Sequence, residues 1–381
     1  MNFKEFKESL KYKKYKNWKI VIRFIEYKIK NFFISIIIYF NNFKKTSKQV
    51  IYLGSYKDNS YINFLLYSLK DHYILAYKRD ENVKKLFRRV GLLNFFKHTI
   101  PLSSVKNKPL TKINMRLESQ NNDEILIDTN YFQYFYKKNI LKKSKNLIMP
   151  YFMYPRIYNS FYKKINILKK PNFNLRIFFS GSIVNEGYKN FIWKKEPEKF
   201  PNRLKIIEEI FKEFKNDIFL IKSQKDIKNI ESSKKRIIFC LHDKMIKKTS
   251  YILNFKDNFD LLSKSCFNLN CPGVVMPLCH HIIEGIKVGS IPITNCEKFL
   301  EPELTIDNSL QYSNLEQLIE KINEALIMDK DKIIQMRLNV QRYYEKNLSP
   351  NSFKNNFKKI LSKEKNKIIC CDDHRSLNGM I

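Results

Sequence analysis

His281 and Glu284 sit three apart in CHHIIEGIKVG, so on a helix they share one face near its first turns. A carboxylate that only accepts hydrogen bonds, such as Glu284, suits the hydroxyls of a sugar or ribose. Just upstream, Cys271-Pro272-Gly273 reads as a turn, with Pro fixing φ and Gly freeing it. A loop that feeds a helix N-terminus is a ready place for an anionic group. Farther back, Ser180-Gly181-Ser182 follows an apolar run, and its small residues would let backbone N–H groups approach a phosphate. Arg203 or Lys222 could neutralise that phosphate. A nucleotide diphosphate fits the set. Each residue also has a plainer role: Glu284 as an exposed helical carboxylate, His281 as a packing histidine, Arg203 as a solvated first-turn residue, Lys222 as one surface lysine among many.

Metal chemistry finds little support. Cys271, Cys279, His280 and His281 form C-x7-C-H-H, which matches no common zinc pattern, and there is no acidic D-x-D. We expect no metal and no bound cofactor. There is no G-x-G-x-x-G after the first strand and no G-x-x-x-x-G-K-[ST], so dinucleotide oxidoreductases and P-loop enzymes are not supported.

The elements that would position these residues alternate. Residues 257–264 have helical spacing, 266–270 form a short strand, 278–288 a helix ended by Gly289, and 290–294 a strand. Before them come a strand over 175–179, a loop at 180–182, and a helix from Pro201-Asn202-Arg203 to 214 capped by Asn202. Strands follow over 217–222 and 236–241, and helices over 314–326 and 330–346, the last able to pack back across both domains. In the first half, strands over 49–55, 73–77 and 124–128 alternate with helices over 61–69 and 83–96. Such alternation predicts an α/β chain with parallel sheets. The proline-marked passage 146–158 then separates a first Rossmann-like domain, 47–158, from a second, 174–346, with a cleft between them. In open parallel sheets ligands bind beyond the carboxyl ends of the strands. On the first domain, the groups that could act as base there are Asp58, His98 and Asp128.

A chain of 381 residues, 44% hydrophobic and 14% aromatic, can fill two cores. Its formal charge of +34 invites nucleic acid as a partner, but Arg, the better base and phosphate reader, supplies only 12 of the 71 basic residues. Lys, Asn, Ile, Phe and Tyr are abundant while Ala and Gly are scarce, a pattern that A+T-rich codons produce whatever the function. We therefore expect no nucleic-acid partner; a nucleic-acid binder would instead show steep salt dependence. Seven cysteines without framework spacing suit a reduced, cytoplasmic compartment, and Cys370-Cys371 falls in a polar tail, 362–381, expected to be disordered. Residues 1–46 are basic and aromatic around an apolar run of about nine residues, short of the roughly 20 that span a bilayer. Three readings stand: a packed helix, an interfacial helix on the inner face of a membrane, or a marginal anchor.

Residues 263–293 resemble the C-terminal signature of exostosin-like glycosyltransferases, of GT-B fold. That signature joins an SKF-type strand and P-x-G loop to an R-x-x-E-A helix and G-x-IP-V/I; here Ser263-Lys264-Ser265, Pro272-Gly273, Glu284-Gly285 and Gly289-Ser290-Ile291-Pro292-Ile293 carry the match. FFSGS at 178–182 and Arg203 are similar to the first strand and loop of the same domain, so the resemblance spans about 174–346. It implies a GT-B fold, a nucleotide-sugar donor, a glycan or glycolipid acceptor, a ribose on Glu284, and a diphosphate held by Gly181, Ser182, Pro272 and Gly273 without metal. Two departures stand out. The basic residue three before the Glu is His281, whose contact with phosphate would depend on protonation. Gly285 replaces Ala, which is expected to be harmless. Position 292, eight after Glu284, is Pro, so the second Glu of many retaining relatives is absent and an inverting reaction with a base such as Asp58 or Asp128 is favoured. A GT-B-like chain that binds nucleotide or glycan without turnover is the alternative.

Overall fold

The computed structural model describes residues 50–53, 61–77, 99–101, 111–114, 124–132, 146–165, 171–183, 201–242, 251–273, 276–361 and 367–371. The expectations for 1–46, for a helix over 83–96, and for Asp58 and His98 lie outside these residues.

Two parallel sheets make up the core. The first contains β1 (Val50–Leu53), β2 (Ile74–Tyr77), β3 (Thr99–Pro101), β4 (Thr111–Asn114), β5 (Glu124–Asp128) and β6 (Leu147–Ile148). The second contains β7 (Ile177–Ser182), β8 (Ile218–Leu220), β9 (Ile237–His242), β10 (Phe267–Leu269), β11 (Ile291–Thr294) and β12 (Leu310–Gln311). A last strand, β13 (Lys367–Ile369), returns to the first sheet, whose order is β3-β2-β1-β4-β5-β13-β6; the second runs β12-β11-β10-β7-β9-β8. Both grow outward from a central first strand in two directions, the Rossmann-like pattern, and all their pairs are parallel.

The longer helices among the described residues are α1 (Ile62–Leu69), α2 (Arg203–Glu213), α3 (Phe255–Lys264), α4 (His280–Lys287), α5 (Leu315–Ile327), α6 (Lys330–Tyr343) and α7 (Pro350–Ile360). Most begin where the sequence offers a cap. Asn202, Asn254, Asn314 and Ser349 each accept a backbone N–H three residues on, which satisfies one donor that the helix itself cannot. α4 ends in a Schellman arrangement: Ser290 N–H donates to Gly285 O at 3.0 Å and Gly289 N–H to Ile286 O at 3.1 Å, with Gly289 at φ 79°. Gly289 thus ends the helix as its position predicts.

Three expectations are corrected. Residues 180–182 are no loop; they are the last residues of β7, in register with Cys240, Leu241 and His242 of β9. The helix expected over 330–346 stops at Tyr343, and a π turn, Tyr344–Leu348, leads into α7, which is the element that crosses back. Phe353 and Phe357 of α7 pack edge-on against Phe64 and Tyr73 of the first unit, with ring centroids 5.5 and 5.8 Å apart. The tail expected to be disordered includes β13, and Cys370 and Cys371 just after it are buried. The reason is its apolar KIIC run, which fits between β5 and β6 as a covered parallel strand.

Asn268, in the middle of β10, is a buried polar side chain that donates to His281 O in α4 at 3.1 Å and to Asn270 Oδ1 at 3.3 Å. It fits because residue 285 has no Cβ: a methyl there would stand 2.0 Å from Asn268 Nδ2 and 2.7 Å from its Cγ. The departure from Ala is therefore not only harmless, as expected, but makes the room that Asn268 fills. Gly285→Ala should lower stability by about 2 kcal/mol, the balance of a displaced buried hydrogen bond and overpacking against a gain in helix propensity of about 1. Chemical denaturation would measure it, and adding Asn268→Ala should recover most of the loss; no recovery would mean that the strain lies elsewhere.

Candidate functional site

The order of the second sheet reverses between β7 and β10, so their carboxyl ends border the crevice where such sheets bind ligands. β7 ends in Ser180, Gly181 and Ser182; β10 leads into Cys271, Pro272 and Gly273. Arg203, the first residue of α2, bridges the two. It is buried, and its Nη1 donates to Ser182 O at 3.0 Å while Nη2 donates to Pro272 O at 2.9 Å and to Cys279 Sγ at 3.5 Å. A planar fork can hold two diverging carbonyls at once. A Cβ on Gly181 would stand 3.2 Å from Arg203 Nη1 and 2.7 Å from the Phe179 ring. Thus Gly181, Ser182, Arg203, Pro272 and Gly273 form one assembly with the N-terminus of α4.

His281 is in the first turn of α4, buried against Phe178 and Phe179, with ring centroids 6.3 and 5.7 Å away. Among the described residues neither of its ring nitrogens has a hydrogen-bond partner. Burial, helped by the nearby Arg203 guanidinium, pushes its pKa down to about 3. It is neutral at pH 7, so the dependence on protonation expected for it resolves against a cationic role. A diphosphate here would take its countercharge from Arg203 and the helix dipole.

Glu284 lies one turn farther along α4. Its Oε1 accepts the Tyr154 N–H at 3.2 Å, from the segment that joins the two sheets, and Asn258 of α3 also bonds the carboxylate. Burial raises its pKa to about 7, and those two hydrogen bonds only partly oppose the shift. Next to it, His280 Nδ1 donates to Phe152 O at 2.8 Å, and its ring stacks on Tyr151. The joining segment is thus fastened onto α4 by a carboxylate and an imidazole. This segment is more than a passage.

The two sheets present their carboxyl ends to each other. Tyr131, just past β5, donates its hydroxyl to Phe299 O, past β11, at 2.7 Å. Cys371 Sγ, past β13, meets Met276 Sδ, past β10, at 3.4 Å. This is the GT-B arrangement expected above. Asp128 ends β5 on that face and is half-buried, with Oδ1 accepting the Asn130 N–H at 2.9 Å. Lys222 is not brought to the site: it is exposed beyond β8, the edge strand, with β9 between it and β7. A groove of about 240 Å³ lies between the joining segment and α3, lined by Phe161, Lys164, Phe259 and Asp260 among others, and includes none of the strand-end residues. Among the described residues no group of three or more His, Cys, Asp and Glu could hold a metal, and no helix is long and apolar enough to cross a membrane.

Sequence reasoning missed Glu297, in the turn Glu297–Phe299 directly after β11. Its signal was its place at a strand end on the crevice side, which no short motif announces.

No protein-family model and no curated protein matches this chain. Several solved structures are similar to it. One is a variant of S. aureus TarM in complex with fondaparinux, α-GlcNAc-glycerol and UDP: 12% identity, TM-score 0.39, covering 78% of this chain and 58% of TarM. Another is Anabaena HepE in complex with UDP and glucose: 11% identity, TM-score 0.36, covering 83% of this chain and 99% of HepE; a third match covers 83% of this chain and 98% of its own length. That third is a glycosyltransferase from Rickettsia africae, 14% identical with TM-score 0.39. The chain thus spans just over half the length of TarM and nearly all of the other two. Likeness this distant is no argument about activity.

Proposed function

We propose that this protein transfers a sugar from a nucleotide-diphosphate sugar to a glycan or glycolipid acceptor. The observation that carries the reading is the Arg203 fork, which holds the ends of β7 and β10 at the reversal point of the second sheet, opposite the carboxyl ends of the first. In this reading the backbone at Gly181, Ser182, Pro272 and Gly273 and the α4 N-terminus hold the diphosphate, and Glu284 accepts a ribose hydroxyl. No metal is required, because guanidinium and helix dipole supply the positive field. The motif in 263–293 supports an exostosin-like enzyme, and Pro292 in place of a second Glu supports inversion with Asp128 or Asp58 as base. A role in surface polysaccharide synthesis, in the cytoplasm at a membrane that residues 1–46 touch peripherally, completes the proposal.

A binding protein without turnover is the second reading. It is favoured by one observation, that the Asp128 carboxylate is already engaged by Asn130.

A thermal-shift screen against UDP, ADP, GDP and their glucose conjugates tests the site. A nucleotide at about 100 times its Kd should add about 2.7 kcal/mol to stability. Glu284→Ala should lose that gain. Release of free nucleoside diphosphate in the presence of glycan acceptors separates the two readings. If no nucleotide stabilises the protein while nucleic acid does, both are wrong.

A further inference from the structure

We propose that Glu297 accepts a hydroxyl of the donor sugar and so helps to select which nucleotide sugar is used. This rests on the transferase reading above. Glu297 opens the turn that follows β11, at the same carboxyl edge as Pro272. Cys296 Sγ contacts Pro277 O at 3.3 Å, which fastens the turn to the loop that leads into α4. Two residues on, Phe299 O accepts the Tyr131 hydroxyl at 2.7 Å, and the Phe299 ring meets Phe132 edge-on at 5.2 Å. Glu297 therefore stands where the donor loop and the opposite sheet come together.

Its Oε2 is covered and has no hydrogen-bond partner among the described residues, so the half-buried side chain has to turn outward to take one from a ligand, while the carboxylate is also bonded by its own backbone N–H. A buried carboxylate oxygen left without a donor is costly. Burial raises the Glu297 pKa, and Glu303 adds to the rise while Lys298 opposes it. Any donor satisfies such an oxygen, and a neutral one does so without bringing charge into the crevice. A phosphate would be repelled, since both groups carry negative charge. A sugar hydroxyl donates one hydrogen bond and brings no charge. The crevice face of the turn, toward the first sheet, is where the transferred sugar has to meet its acceptor.

Calorimetric titration of the full chain with UDP, ADP and GDP and with their glucose conjugates tests this. For the nucleotide that binds, Glu297→Ala should leave the affinity for the bare diphosphate within about twofold and weaken the glucose conjugate about 10- to 100-fold. Glu297→Gln keeps the shape and one acceptor, so a smaller loss, about 3- to 10-fold, is expected. Its thermal midpoint should equal or exceed that of the wild type, which shows that the fold is kept. If the sugar conjugate and the bare diphosphate weaken equally, or neither changes, the inference is overturned and the transferase reading stands. If the wild type binds no nucleotide at all, both fall.

Discussion

Replacing Arg203 with alanine is expected to destabilise the protein by about 3–4 kcal/mol and to abolish nucleotide binding. The size follows from what the guanidinium holds. It donates to Ser182 O and Pro272 O, at 3.0 and 2.9 Å, and to Cys279 Sγ. Its loss strands two carbonyls, each worth roughly 1–3 kcal/mol when left without a donor in a buried place. Lysine is a poor replacement, because a single ammonium cannot reach two diverging carbonyls in the geometry of a fork. Arg203→Lys should therefore recover less than half the stability. Denaturant titrations of the three proteins would show the series. If Arg203→Ala melts like the wild type, the bridge between β7 and β10 is not a stabilising element, and the case for the site weakens with it.

A second large effect concerns pH. The Glu284 carboxyl has a folded pKa of about 7, against an ordinary value of 4.5. A raised carboxyl pKa means that the folded state holds the proton more tightly. Its contribution to stability is complete below pH 4.5, shrinks as pH rises, and is gone above about pH 7. The full amplitude is on the order of 3 kcal/mol, at about 1.36 per pH unit. Glu284→Gln should flatten this descending arm. The variant should match the wild type near pH 4.5 and exceed it near pH 7.5. His281 runs the other way: its folded pKa of about 3 lies below 6.5, so its contribution is present above pH 6.5 and is lost as pH falls toward 3. That arm is common to both proteins and cancels in their difference. Parallel stability curves between pH 4.5 and 7.5 would show that the Glu284 carboxyl is not held as described.

Much of the second sheet was legible in the chain. Its strands are short apolar runs ended by turn residues, and Asn202 could be read as a cap because capping needs only local geometry; Asn254 and Asn314 cap their helices in the same way but were not singled out. Gly289 was legible for the same reason. What escaped depended on distant partners. Residues 180–182 look like a loop because Ser and Gly disfavour strands; pairing with β9 overrides that preference. α7 went unread although Ser349 and Pro350 announce its start, since Phe353 and Phe357 make a stripe only two residues wide until α1 is there to receive it. The places of Arg203 and Glu284 were partly legible. Their residue types suited a diphosphate and a ribose, but nothing local told that one would tie two carbonyls and the other would hold Tyr154.

The place of β13 bears on how the chain is made. This strand sits between β5 and β6, and β6 touches the rest of its sheet only through it. A ribosome delivers β5 and β6 some 220 residues before the strand that joins them, with the whole second sheet in between. The first unit therefore cannot close as it emerges, and its half-built edge stays open to wrong pairings until Lys367–Ile369 has been made. An N-terminal fragment ending near residue 165 would keep that defect permanently, whereas the second unit has all its strands in one continuous stretch and can mature first.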